Sequence, residues 1–147
     1  MMKSVQKITR VQLEINHEEK FILFAIVSAE PDYKLSLSIN SALSISLKNI
    51  SPLKITDSKG SELIFSRFSY VSGPPEIIFT LVSNRSGKHF FLKKLKNVDY
   101  ILKISYSENE NNTDRLISRL RGVKNVNAVF NIDINALKDK MLQHLNQ

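Results

Sequence analysis

The run Glu62-Leu63-Ile64-Phe65-Ser66-Arg67-Phe68-Ser69-Tyr70-Val71, its continuation Ser72-Gly73-Pro74-Pro75, and the following Glu76-Ile77-Ile78-Phe79-Thr80-Leu81-Val82-Ser83 settle what kind of fold this chain adopts. Both flanks are of strand length and rich in β-branched and aromatic residues, which fit a pleated, half-buried surface. Between them Pro74 and Pro75 lack amide hydrogens and Gly73 tolerates turn dihedrals, so the ladder stops and the chain reverses. Two antiparallel strands are predicted.

Reading toward the C-terminus, Asn84–Lys88 is a turn and His89–Leu92 a short strand, and Val98, Tyr100, Leu102 and Ile104 share one face of a further strand. A meander of this kind can bury one face and wet the other. Beyond it the character changes. Glu108–Asn112 is a polar loop, with Asn112 or Thr113 placed to cap a helix whose apolar stripe is Leu116, Ile117 and Leu120 and whose end is Gly122. Val126–Ile134 reads as a strand and Asn135–Leu145 as a closing helix carrying Leu137, Met141, Leu142 and Leu145.

Toward the N-terminus, Ser51–Gly60 reads as loop, punctuated by Pro52 and Asp57-Ser58-Lys59-Gly60. Residues 31–47 support two readings. Leu35, Leu37, Ile39, Leu43, Ile45 and Leu47 fall at odd positions, as in a strand. Pro31 at a first helical position and the stripe Leu35, Ile39, Ala42, Leu43 instead favour a helix near 31–43, followed by a strand near 44–50. Phe21–Ser28 is a buried strand; Val11, Leu13 and Ile15 alternate with polar residues, and Asn16–Lys20 joins the two as an opening hairpin. The expected fold is α+β: a mostly antiparallel sheet built from that hairpin, a helix and the strand meander, with a C-terminal β-α-β-α unit and the helices packed on the sheet. No linker or repeat divides the chain, so residues 1–147 are expected to form one domain, with 1–6 as a flexible tail.

Hydrophobic residues make up 42% and charged residues 24%, which is ordinary globular usage and argues against disorder. The absence of cysteine removes disulfides, cysteine nucleophiles, thiolate zinc sites and iron–sulfur clusters together, and suits a reducing compartment. The first strong apolar run, Phe21–Val27, is too short to span a bilayer and no signal-peptide core follows the N-terminal lysines, so a cytoplasmic address is expected, without a membrane partner. A net charge of +7 raises the prospect of a polyanionic partner, because Lys and Arg release counterions from phosphate backbones. It also arises in proteins that are simply kept apart by like charge.

Val98-Asp99-Tyr100-Ile101-Leu102-Lys103-Ile104 resembles the signature of the IPExxxVDY family, small bacterial proteins of unknown function from Bacteroidetes-type hosts. Asp32-Tyr33-Lys34-Leu35 with Asn40 resembles the family's early helix, and Ile117–Leu120, Val126–Asp133 and Leu137–Lys140 resemble its helix–strand–helix ending. The family's Ile-Pro-Glu would fall at 92–94, where this chain carries Leu92-Lys93-Lys94 and keeps only the apolar first position. The resemblance implies a fold order, a helix at 31–43 and a bacterial host, and no chemistry. Separately, the helix, Leu120-Arg121-Gly122-Val123, Val126 and the strand to Asp133 are similar to the second half of ferredoxin-like regulatory domains such as the ACT group, a pattern shared by many unrelated proteins.

No Gly-rich phosphate loop or dinucleotide fingerprint occurs, since glycines 60, 73, 87 and 122 are isolated. His17, His89 and His144 lack paired ligand spacing, no serine sits in a nucleophile-elbow setting, and no metal or cofactor is expected. A triad drawn from distant segments stays open. Asp99 has two readings: an acid, base or ligand at a strand start, or a carboxylate bonded to loop amides or paired with a Lys or Arg. Asp32 suits a helix N-terminus, and Tyr33 packs with its hydroxyl outward.

The sharper feature is basic. Between Ile77 and Val98 there is no carboxylate, while Arg85, Lys88, Lys93, Lys94 and Lys96 all occur, with His89, Phe90 and Phe91 as stacking surfaces of the kind single-stranded nucleic-acid binders use. Adjacent residues 90 and 91 point to opposite faces, so at most one joins the basic face. Lysines at a sheet edge also serve simply to block edge-to-edge pairing. Arg115, Arg119, Arg121 and Lys124 form a second group that would merge with the first if its helix lay beside the 85–96 edge. These features point to a non-enzymatic binding protein for RNA or another anionic partner. The alternatives are a small-ligand regulatory or homo-oligomeric module and, third, an enzyme with Asp99 near the chemistry.

Overall fold

The computed structural model describes residues 20–106 and 113–146. The expected strand at Val11–Ile15, the hairpin turn, the tail, the loop at 108–112 and the Asn112 cap lie outside the described residues. The described elements are β1 (Lys20–Val27), α1 (Asp32–Leu43), β2 (Lys48–Thr56), β3 (Glu62–Ser72), β4 (Ile77–Ser83), β5 (Arg85–Ser86), β6 (His89–Phe90), β7 (Tyr100–Tyr106), α2 (Thr113–Arg121), β8 (Ala128–Asn131), α3 (Ile134–Leu137) and a closing 3-10 segment (Lys140–Asn146). The fold is α+β. Six strands form one sheet in the order β2-β3-β4-β7-β1-β8, every neighbouring pair antiparallel, and β5 pairs with β6 as a separate small hairpin.

The central turn behaves as its residues dictate. Gly73 has φ +143, and a Cβ there would stand 2.8 Å from the Pro75 carbonyl oxygen, so the tight approach requires glycine. β3 and β4 pair on either side, Ser72 opposite Ile77 and Arg67 opposite Val82. β1 is a continuous apolar run because both of its faces are covered: Leu23 and Ala25 enter one core, Phe24 and Ile26 the other. It lies between β7 and β8, so the C-terminal β7-α2-β8 passage is a split β-α-β unit with β1 inserted between its parallel strands.

One face of the sheet is covered by α1 and α2, which bury Leu35, Ile39, Leu43 and Leu120 against Phe24, Ile26, Phe68 and Leu102. The serines that weaken α1 on propensity are accommodated: buried Ser36 donates to the Tyr33 carbonyl at 2.7 Å, within the helix. α1 ends on Ser44 in the left-handed region, and Asn40 Oδ1 takes the Leu47 amide at 2.7 Å, steering the chain into β2. The other face is covered by the irregular passage 84–99 and the C-terminal segments, which bury Phe91, Leu92, Val98, Leu137 and Leu145 against Leu23, Phe65, Val82 and Ile101.

Several expectations are corrected. Residues 51–56, expected as loop, continue β2, and the strand expected from 44 begins at Lys48. Pro52 is tolerated there because β2 is an edge strand with a bulge between Ile50 and Leu53. The expected helix over Asn135–Leu145 is two pieces, broken at Lys138, whose φ of +46 cannot continue a helix. The expected turn at 84–88 holds one arm of the β5–β6 hairpin, and the strand expected at 89–92 ends at Phe90 because Phe91 and Leu92 turn into the core.

Candidate functional site

The Val98-Asp99-Tyr100 motif is a clamp where several connections meet. Val98 lies before β7 and enters the core beneath the 84–99 passage, while Tyr100, the first residue of β7, enters the opposite, helix-covered core, so the shared face expected from Val98 to Ile104 begins only at Tyr100. Between them Asp99 Oδ1 accepts from Arg85 Nε at 2.7 Å and Oδ2 accepts from the Ser28 amide at 2.8 Å. The Tyr100 hydroxyl donates to the Glu30 carbonyl at 2.5 Å. Burial, reinforced by the nearby carboxylates of Asp32, Asp99 and Glu30, pushes its pKa up to about 12, so it remains a neutral donor. Ser28 Oγ in turn donates to the Asn125 carbonyl at 2.7 Å. The β1–α1 connection, the β7 entrance and the α2–β8 connection are thereby tied together. Both Asp99 oxygens are engaged in these contacts, the geometry of a carboxylate that fixes turns.

Asp32 accepts from the Tyr33 amide at 2.7 Å in the first turn of α1. Tyr33 does not pack as its sequence position suggests: the residue is 55% exposed.

Asn84, which sequence reading treats only as a turn residue, organises the basic passage. It is fully buried. Its carboxamide nitrogen donates to the carbonyls of Leu95 and Val98, both at 2.9 Å, while Oδ1 accepts the Leu92 amide at 2.7 Å. Its own carbonyl accepts the Phe91 amide, and its amide donates to the Asp99 carbonyl. A stretch with little ladder pairing thus has its backbone satisfied by one side chain. An asparagine after a strand gives no sequence signal for such a hub, since the partners are 8–14 residues away in the chain.

The basic residues separate. Arg85 is committed to Asp99 and to the Lys96 carbonyl, and its guanidinium lies 4.8 Å from the Phe90 ring centroid. Phe91 is fully buried, and Phe90 is half-buried with the Arg85 guanidinium over its ring. Arg115 and Arg119 are exposed on α2, on the helix-covered side, with the sheet between them and the 84–99 passage. The two clusters do not merge. Lys88 and Lys93 are exposed, and Lys94 Nζ donates at 2.9 Å to the Leu137 carbonyl at the end of α3.

Lys94 and Lys96 flank an open groove of about 480 Å³ between residues 94–98 and the β8–α3 corner. Ala25, Val98, Ile132 and Leu137 contribute apolar surface, and Phe130 on edge strand β8 walls it, 53% exposed. Phe130 faces this groove because it pairs with Ala25, whose side chain points to the same face. Sequence reading missed Phe130, which sits in a run that looks uniformly buried.

Sequence reading also missed Lys103. It stands in β7 opposite Thr80 and Leu23 and is only 4% exposed. No cluster of His, Asp and Glu suited to a metal occurs among the described residues, and none of their helices is long and apolar enough to cross a membrane. Among known proteins, no family model matches this chain and no curated protein matches it.

Proposed function

We propose that this is a non-enzymatic cytoplasmic binding protein for an anionic partner, with single-stranded RNA as the most definite version, held at the groove between residues 94–98 and β8. The observation that carries this reading is the placement of Phe130 and the Lys94–Lys96 pair on one groove. An exposed aromatic face stacks on any base, and flanking ammonium groups meet the phosphates on either side. The Asn84 hub keeps the lysine-bearing backbone in place before a partner arrives, which lowers the ordering cost of binding. The Val98-Asp99-Tyr100 motif supports kinship with the IPExxxVDY family. It gives a bacterial setting, and Lys93 and Lys94 stand where the family pattern has proline and glutamate.

The apolar floor favours a second reading, a small ligand with an anionic head and an apolar body, since the groove has the volume of ordinary ligand sites. Fluorescence anisotropy with a labelled RNA of about 12 nucleotides separates the two. Two phosphate contacts on a single strand, from Lys94 and Lys96, predict a roughly 7-fold loss of affinity between about 50 and about 200 mM salt. The combined change Lys93→Glu, Lys94→Glu, Lys96→Glu should abolish binding. No binding at low salt, together with displacement of an anionic naphthalene dye from the groove by medium-chain fatty acids, favours the second reading.

A further inference from the structure

The helix side of the sheet is only partly covered. α1 buries its apolar face against Phe68 and Leu102, but Ile64 on β3 stays 47% and Ile50 on β2 38% exposed. There a second cavity, of about 430 Å³, opens between the first turn of α1 and the two outer strands. The sheet register sets its floor. Leu63 and Phe65 enter the opposite core, so Ile64 and Ser66 turn to the helix side, where Asn49, paired with Phe68, also points. Ile50 and Pro52 join the lining from the β2 bulge, and Asp32 closes it from α1.

The polar part of this lining is not committed to the fold. Among the described residues, the Asn49 carboxamide and the Ser66 hydroxyl have no hydrogen-bond partner, and no Lys or Arg stands within ion-pair distance of Asp32. Asp32 Oδ1 takes the Tyr33 amide beside it at 2.7 Å, which leaves Oδ2 open. Two cations stand near. Arg85 lines the same cavity, but its guanidinium is already met by Asp99 at 2.7 Å. Lys54 pairs with Ile64 and shares its side of the sheet, yet lies outside the lining. The field at this end of the molecule is negative: after burial, what raises the Tyr100 pKa is the carboxylates of Asp32, Asp99 and Glu30. An apolar floor with a few convergent polar groups is the usual form of a small-molecule site, and the volume falls in that range.

We propose that this cavity binds a small organic ammonium ion with an apolar body. An ammonium group has three donors and no acceptor, and it finds acceptors in the Asp32 carboxylate, the Asn49 carboxamide oxygen and the Ser66 hydroxyl. The body covers Ile50, Pro52 and Ile64, apolar surface that the fold leaves in water. The site lies across the sheet from the Phe130 groove, and its occupancy does not depend on the function proposed for that groove.

The test follows backbone amide shifts of the isotope-labelled full chain by NMR during titration with phenethylammonium chloride, phenylethanol and ethylammonium chloride at matched ionic strength. Phenethylammonium carries both charge and ring, phenylethanol lacks the charge, and ethylammonium lacks the ring. Saturable shifts at Asp32, Asn49, Ile64 and Ser66 are expected with millimolar phenethylammonium, at an affinity at least about 10-fold above that of either other probe. Asp32→Asn removes the charge but keeps an oxygen for the Tyr33 amide, and should weaken phenethylammonium binding by about 10-fold or more. Ile64→Ser, at an exposed position, should weaken it by about 5-fold through loss of the floor. Glu76→Gln, which removes an equal charge at the exposed β3–β4 turn, should leave the affinity unchanged. Absence of saturable shifts at these residues would overturn the proposal. So would equal binding of phenylethanol or of ethylammonium, a loss in Glu76→Gln equal to that in Asp32→Asn, or full affinity in folded Asp32→Asn or Ile64→Ser.

Discussion

Arg85 and Asp99 meet at 2.7 Å across the mouth of the 84–99 passage, and the same carboxylate holds the Ser28 amide at 2.8 Å. The two contacts differ in worth. Arg85 is 46% exposed at its side chain, so its ion pair is screened and worth at most about 1 kcal/mol. The Ser28 amide is partly buried, and leaving it unpartnered costs about 2 kcal/mol. Urea unfolding should therefore show Asp99→Ala losing more stability than Arg85→Met. Equal losses would mean that the ion pair, and not the amide contact, carries the clamp.

Asn84→Ala should be the most damaging polar substitution in this region. It strands the Leu92 amide and the Leu95 and Val98 carbonyls in a buried site. A loss of about 3 kcal/mol or more is expected. Hydrogen exchange should accelerate first at residues 92–98, because their backbone depends on this side chain.

Tyr100 makes stability depend on alkaline pH. Its pKa is about 12 in the folded protein against an ordinary value of 10.0. Below the ordinary value both states keep the proton and the stabilisation is complete. As pH rises toward 12 the unfolded chain releases the proton while the folded one retains it, and the stabilisation is lost. The difference in stability between the native sequence and Tyr100→Phe should therefore shrink over that interval. A difference independent of pH would refute the role given to burial.

Phe130→Ser should separate binding from stability. The ring is 53% exposed, so the change in unfolding free energy should stay within about 0.5 kcal/mol. Affinity for single-stranded RNA should fall about 10-fold through loss of the stacking face. Unchanged affinity would move the interface elsewhere on the basic surface.

The antiparallel core is legible in local residue patterns. The runs on either side of Gly73-Pro74-Pro75, the apolar Phe21–Val27 and the alternation from Tyr100 to Ile104 are local patterns, and strands form where local periodicity and turn chemistry agree, whereas Val98, which the same alternation would include, stands before β7 in the opposite core. Periodicity alone leaves residues 31–43 open between strand and helix, and the structure makes them a helix from Asp32. Some boundaries depart from the local pattern for tertiary reasons. Pro52 reads as a strand breaker, yet an edge position with a bulge tolerates it. The closing helix looks continuous, yet its apolar residues follow a core surface that the chain reaches by breaking at Lys138.

The sites arise from contacts between segments distant in the chain. Asp99, Ser28 and Tyr100 form a clamp because strands distant in sequence end side by side, and Asn84 becomes a hub because its partners fold back over it. The basic residues, uniform as a list, divide by sheet face: Lys94 and Lys96 reach a groove, Arg85 is spent on Asp99, and Arg115 and Arg119 lie beyond the sheet. Asp32 and Ser66 are scattered in the sequence and neighbours on one cavity in the fold. Periodicity reports which face of a strand a residue occupies, but which strands lie adjacent, and what covers each face, is set by pairing and packing between distant segments.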